Sequence, residues 1–243
     1  MEIIKEHKVP FMDSGILLVD KPKEWTSHDV VSFIRGRFKI KKVGHCGTLD
    51  PAATGLLVIV VGKATKISQN LSGQDKTYET LMLLGTETDS MDMDGKITSQ
   101  NEDWKSLTTL KVKSAINSFK GSQMQIPPMV SAKKIHGKKL YELARKGITV
   151  EREPVPITIN SIDISDINIP TANFTVSCSK GTYIRVLCSD IGSKLGCGGV
   201  LKNLRRTQSG IFNLKDAYTI DEIKTWDQEQ MAEKLLWLHN IKI

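Results

Sequence analysis

The chain has no C-x-x-C pair: its four cysteines, Cys46, Cys178, Cys188 and Cys197, lie scattered along 243 residues. Such spacing suggests neither a zinc site nor a disulfide framework; buried or idle thiols in a reducing compartment are expected. The amino-terminal Met-Glu-Ile-Ile-Lys-Glu-His-Lys lacks the apolar core of a signal peptide, and no uninterrupted apolar run is long enough to cross a bilayer. A cytoplasmic location away from membranes is therefore expected. Internal repeats, low-complexity tracts and heptads are missing, which argues against solenoids and coiled coils. The acidic stretch from Thr88 to Gly95 does not make an EF-hand. Counted from Ser90, the twelfth position is Asn101 where a bidentate carboxylate is needed. A turn with solvated carboxylates is expected there.

What the chain does have is ordinary globular material and an excess of positive charge. It is 40% hydrophobic and 25% charged, enough to bury a sizeable core. Its 34 basic residues against 27 acidic ones leave a formal +7, which raises the prospect of a polyanionic partner such as RNA.

Along the chain, Gly15-Ile-Leu-Leu-Val-Asp20 reads as a buried strand ended by Lys21-Pro22. Thr26 and Asp29 have capping-box spacing before Val30, Val31 and Ile34, so a helix is expected from Ser27. Basic residues then cluster at Arg35, Arg37, Lys39, Lys41 and Lys42, as a solvated helix end or a phosphate-contacting edge. A glycine-rich loop, residues 44–55, runs into Leu56-Leu-Val-Ile-Val-Val61, the pattern of a strand buried on both faces. Further strands are expected over 77–84, 157–164 and 173–179. Helices are expected over 109–119, 138–146 (stopped by Gly147), 231–239, and from the Gly181-Thr-Tyr-Ile-Arg185 segment to Gly196. Leu201 to Arg206 reads as a basic segment before a turn. The mixture fits neither strict βαβ alternation nor a sandwich, and points to an α+β fold around a mixed, largely antiparallel sheet flanked by helices.

Asp50 stands out by context. Pro51 biases it toward extended geometry, and the strand that follows can hold the loop rigid. Local context by itself favours the commoner roles of such an aspartate, an Asx turn or a helix cap.

The complete string changes that reading. Gly44-His-x-Gly-x-Leu-Asp-Pro-x-Ala-Thr-Gly55 resembles the catalytic loop of the TruB family of pseudouridine synthases. Gly15-Ile-Leu-Leu-Val-Asp-Lys-Pro22 with Thr26-Ser27, Lys76-Thr-Tyr78, Gln125-x-Pro-Pro-Met-x-Ser-Ala-x-Lys134, Gly137-Lys-Lys-Leu-Tyr-Glu142, Gly181-Thr-Tyr-Ile-Arg185, Leu195-Gly-Cys-Gly198 and Leu204-Arg-Arg-Thr-x-Ser-Gly210 resemble its other blocks, in the family's order from about residue 14 to 220.

This resemblance implies a pseudouridine synthase fold and isomerisation of uridine at position 55 in the T-loop of tRNA. The reaction cuts an N-glycosidic bond, rotates the base and rejoins it through carbon, with no cofactor and no metal. Asp50 is implied as the nucleophile, Arg185 as the arginine paired with it and Tyr78 as the active-site tyrosine. Local reading alone would make Arg185 a surface ion pair and Tyr78 a cross-strand packing residue. Base flipping is implied, with His45 entering the vacated space and Tyr183 and Leu204 lining the pocket. Lys21, Lys134, Arg205 and Arg206 are candidate phosphate contacts. Val130 stands where the family often has an aromatic.

Many bacterial members continue into a small RNA-binding PUA domain. Here a catalytic domain over 1–225 is expected, with 226–243 as a short helical tail and no PUA domain. The implied partner is the tRNA T-stem-loop, with no obligate protein partner and a monomer expected. A tRNA-folding chaperone on the same fold, or a synthase acting on another RNA, are the alternatives.

Overall fold

The computed structural model describes residues 14–131, 133–135, 137–144 and 147–237. In chain order the elements are β1 (Ser14–Lys21), α1 (Ser27–Phe38), β2 (Val43–Cys46), β3 (Thr54–Gly62), α2 (Ser68–Ser72), β4 (Lys76–Leu84), β5 (Thr86–Thr88), β6 (Ile97–Gln100), α3 (Thr109–Asn117), β7 (Gly121–Gln125), β8 (Lys134–Ile135) and β9 (Lys138–Lys139). There follow α4 (Leu140–Ala144), β10 (Val155–Asn168), β11 (Thr171–Cys178), α5 (Ile184–Leu195), β12 (Gly199–Ser209), β13 (Phe212–Asn213), β14 (Tyr218–Thr219), α6 (Ile220–Thr225), α7 (Gln228–Lys234) and β15 (Leu236–Trp237). The class is α+β, with mixed and mostly antiparallel pairing, as expected.

Two compact units divide the chain. One holds the described residues up to Gly73 and those from Ser209 on; the other runs from Gln74 to Gln208.

The first unit is built on β3. It pairs antiparallel with β1, placing Leu17 opposite Ile59, and with β2, placing His45 opposite Ile59 on the other side. β14 joins β1 in parallel and β15 joins it antiparallel. Alternate side chains of a strand face opposite ways, and both faces of β3 are covered. Leu57, Ile59 and Val61 pack with α1, α6 and α7 through Val30, Ile34, Phe38, Ile223 and Met231. Leu56, Val58 and Val60 pack with Ile16, Leu18, Cys46, Leu71 and Phe212. Each such side chain taken fully from water contributes about 1.5–3 kcal/mol, an upper range because unfolded chains are partly compact. β3 is therefore a stiff base for the loop that precedes it.

The expected capping box starts α1: Thr26 accepts from the Asp29 N–H at 3.0 Å, and Asp29 accepts from the Thr26 N–H at 2.8 Å. Near the carboxyl end the structure differs from the sequence expectation. The helix expected over 231–239 is α7, beginning at Gln228, because Asp227 and Gln230 form a capping box three residues earlier. It gives way to β15, whose Leu236 pairs with Ile16. Residues 238 and 239 of the expected helix lie outside the described residues. Trp226, Met231 and Leu235 belong to the first unit's core, so the segment from Trp226 to Leu235 is part of that unit.

In the second unit the strand order is β12-β4-β11-β10-β7. β11 pairs antiparallel with β4, Tyr78 opposite Val176, and β10 pairs antiparallel with β11 and with β7. β4 alternates: Lys76, Tyr78, Thr80, Met82 and Leu84 are buried while Glu79 is exposed. The segment 201–206 is the middle of strand β12. The helix expected over 138–146 is shorter, because Lys138 and Lys139 pair with β8 as a small hairpin. α4 starts at Leu140; residues 145 and 146 lie outside the described residues. Gly147, at φ +70°, donates its N–H to the Ala144 carbonyl and closes the turn.

Candidate active site

The Asp50 loop is fastened on both sides of the aspartate. Leu49, 3% exposed, is held by Ser27 at the start of α1. The Ser27 hydroxyl accepts from the Leu49 N–H at 2.8 Å and donates to the Leu49 carbonyl at 3.1 Å. On the other side, the Pro51 carbonyl accepts from the Glu24 N–H at 2.9 Å and from the Lys21 ammonium at 3.3 Å. The Ala53 N–H closes a turn onto the Asp50 carbonyl at 3.1 Å. Both peptide groups that set the aim of Asp50 are thus fixed, and its carboxylate is half-buried. His45 sits on β2, also half-buried.

Lys21 departs from its sequence reading. It is fully buried, and its ammonium also donates to the carbonyls of Pro22 at 2.8 Å and Trp25 at 2.6 Å. An ammonium has three donors, and here three carbonyls take them. Lys21 is an internal brace of the Asp50 loop, not a surface phosphate contact.

In the second unit, Tyr78 lies on β4, 8% exposed, and Arg185 is the second residue of α5, 3% exposed. A buried cation in the first turn of a helix opposes the positive end of the helix dipole and must be compensated. The guanidinium donates to the Ser90 carbonyl at 2.8 Å and to the Val130 carbonyl at 2.7 Å. Its Nε lies 3.4 Å from Asp92 Oδ2. The other Asp92 oxygen accepts from Ser90 Oγ at 2.5 Å and from the Asp94 N–H at 3.2 Å. Thr88 Oγ1 donates to the Asp92 carbonyl at 2.6 Å, and Met91 takes φ +64°. The turn read as solvated carboxylates is corrected at Asp92, which is 9% exposed and forms an ion pair with Arg185, while Asp89 and Asp94 are exposed as expected. Sequence reasoning missed it because the ionic partner lies 93 positions away. The carboxylate beside Ser90 and Asp94 was a visible signal only of a tight acidic turn.

Tyr183, half-buried, precedes α5 and has no capping side chain of its own. Leu204 is buried on β12. Arg205, next along that strand, is half-buried and lines a groove of about 300 Å³ with Glu79, Asn173 and Asn203. Because Tyr78 and Glu79 are adjacent on β4, that groove lies on the sheet face away from the Tyr78 side chain. Arg206 is 1% exposed, an interior guanidinium. Such burial withdraws it from the surface role expected of it, since a phosphate contact needs the guanidinium within reach of the backbone it binds. Lys134 lies on β8; its side chain falls outside the described residues.

All four cysteines are buried and free. Burial pushes the Cys178 thiol up to about 11 and the Cys188 thiol higher still, so both are inert thiols at neutral pH.

The fold, a mixed and mostly antiparallel sheet flanked by helices, is that of a pseudouridine synthase. The chain belongs to the TruB family. Residues 35–184 match the N-terminal domain of TruB family pseudouridylate synthase, and residues 185–240 match the tRNA pseudouridylate synthase B C-terminal domain. It is 45% identical to a tRNA pseudouridine synthase B of Opitutus terrae, covering 91% of this chain and 92% of that one. It is 52% identical to the protein of that name from Alkaliphilus oremlandii, over 87% and 70% of the two chains. Among solved structures it resembles a chain of a Cbf5-Nop10-Gar1 complex with TM-score 0.74 and 27% identity. The match covers 94% of this chain and 61% of that one.

Proposed function

We propose that this protein isomerises uridine to pseudouridine at position 55 in the T-loop of tRNA. Asp50 is the nucleophile: its carboxylate forms a transient adduct, the base leaves its N-glycosidic bond, turns, and is rejoined to the sugar through carbon. The C5 hydrogen leaves as a proton when carbon is joined to the sugar and the freed N1 takes one up, so the change is an isomerisation and no donor or acceptor of electrons enters the balance. Arg185 supplies positive charge that favours ionised carboxylate. Tyr78 stacks on the uracil, and its hydroxyl assists proton movement. His45 takes the space of the flipped base, with Tyr183 and Leu204 lining the pocket. The observation that carries the reading is the fastening of Leu49 and Pro51 on either side of Asp50, which is the preorganisation a nucleophile needs.

The charge distribution favours an RNA substrate. From Val30 to Gln74, Asp50 is the only acidic residue, against Arg35, Arg37, Lys39, Lys41, Lys42, Lys63 and Lys66. These seven cations are exposed, and phosphate neutralisation by such groups supplies sequence-independent affinity. The same stretch supports a second reading, a tRNA-folding activity that needs binding and not chemistry.

Asp50→Asn separates the two. Tritium release from labelled uridine in a tRNA transcript is expected to vanish in the variant while tRNA binding survives. Undiminished turnover would sink the nucleophile assignment. A transcript lacking the T-loop uridine is expected to give no product, and product from it would redirect the specificity.

A further inference from the structure

We infer that Gln125 is a positioning residue for the catalytic centre, setting the start of α5 and with it Tyr183 and Arg185; this rests on the functional reading above. The side-chain amide of Gln125 makes both hydrogen bonds that a neighbouring strand would make to the Tyr183 backbone. Its Oε1 accepts from the Tyr183 N–H at 2.8 Å, and its Nε2 donates to the Tyr183 carbonyl at 3.1 Å. The residue is 3% exposed, so these bonds are made away from water.

The need for them follows from how α5 begins. A helix leaves its first N–H groups without intrahelical partners. Among the helices of this chain, α1, α6 and α7 deal with this locally through capping boxes. α5 has no such means. Its N-cap is Tyr183, which makes no side-chain cap, and its third residue is Val186 where a capping box has Glu or Gln. Gln125 supplies from β7 the amide that position 186 lacks. It does so at the one helix whose first two residues after the cap include the buried Arg185.

The same strand end is itself fixed, because Gln125 pairs with Val155 of β10. Gln125 also opens the segment 126–154, whose neck is crossed by Arg152 donating to the Pro127 carbonyl at 3.0 Å. Farther along that segment, the Val130 carbonyl accepts from Arg185. The helix start is therefore held on the backbone at Tyr183 and through the guanidinium at Arg185, both from the stretch 125–130. Without the first hold, Arg185 keeps its partners while the helix axis that aims it is free to shift, and displacements near 1 Å cost up to about a hundredfold in rate.

The test compares two near-isosteric variants on a tRNA transcript. Gln125→Met, which makes neither bond, is expected to lower the single-turnover rate at saturating RNA by about tenfold to a hundredfold, with tRNA affinity changed less than about threefold. Exchange of the Tyr183 amide hydrogen is expected to accelerate in parallel. Gln125→Glu keeps the acceptor and loses the donor until it is protonated. Its rate relative to wild type at the same pH is therefore expected to rise as the pH falls from about 8 to 6. Ile223→Val on α6, buried in the core of the first unit, is the control that lowers stability at a residue outside the unit that holds α5; its rate at saturating RNA is expected to stay at the wild-type value. A wild-type rate in Gln125→Met, a loss confined to RNA affinity, or an equal loss in Ile223→Val would overturn the inference alone. An inactive wild type would overturn the functional reading and this role together.

Discussion

Ser27 Oγ meets both backbone polar groups of Leu49, accepting at 2.8 Å and donating at 3.1 Å across 22 positions of sequence. One hydroxyl thereby ties the start of α1 to the residue before Asp50. Ser27→Ala leaves two buried peptide groups unpaired, which costs about 1–3 kcal/mol. Chemical denaturation is expected to register that loss, and turnover to fall about tenfold or more as the loop loosens. Lys21→Met removes the brace from the Pro51 side. Both changes act on one loop, so the double variant is expected to lose clearly less activity than the product of the single effects.

Asp92 is the ionic partner of Arg185 within the second unit. Removing one member of a buried pair strands the other charge, at about 3–5 kcal/mol. Asp92→Ala is therefore expected to be strongly destabilised and to lose turnover at temperatures where it is still folded. Asp92→Asn retains an oxygen for Ser90 and is expected to fold better while remaining impaired. Melting curves read beside single-turnover rates check this, and normal activity in Asp92→Ala would show that Arg185 does not depend on Asp92.

Lys41 and Lys42 are exposed in the stretch from Val30 to Gln74 where Asp50 is the sole acid. Reversing both, Lys41→Glu with Lys42→Glu, is expected to weaken tRNA binding and to flatten the slope of log affinity against log salt by about 2. The maximal rate at saturating tRNA is expected to hold. Filter binding across a salt series measures the slope, and an unchanged slope would place the RNA elsewhere.

The α1 capping box carries a small pH dependence whose sign is fixed. The side-chain hydrogen bond from Thr26, aided by its backbone N–H, holds the Asp29 carboxyl below the usual carboxylate range. A carboxyl depressed on folding stabilises above its unfolded value, near 4, and that contribution fades as the pH falls through the lower folded value. Thr26→Ala is expected to cost about 0.5–2 kcal/mol at neutral pH. The gap from wild type is expected to narrow below about pH 4, as acid-denaturation curves of the two proteins would reveal.

How much of this was legible beforehand depended on the range of the interaction concerned. The run from Leu56 to Val61 announced a strand covered on both faces, and the two core clusters bear this out. The Thr26 and Asp29 box announced α1, and Gly196, at φ +80°, ended α5 as expected. These are local matters of periodicity, capping and backbone freedom, written within a few residues of where they act. The string around Asp50 marked its loop through its family resemblance, since local context by itself favoured an Asx turn or a helix cap.

Tertiary structure decided everything that depends on a partner distant in sequence. A lysine in a basic protein reads as solvated until its ammonium is found among the carbonyls of Pro22, Trp25 and Pro51. An acidic turn reads as solvated until Asp92 is found against Arg185, and Gln125 carries no sign that it completes the cap of a helix 58 positions on. Composition sets how many polar groups there are, and local pattern sets which segments become strands and helices. Which polar groups are removed from water together follows only from packing, because the cost of burying each one is met by a neighbour that the chain brings from elsewhere.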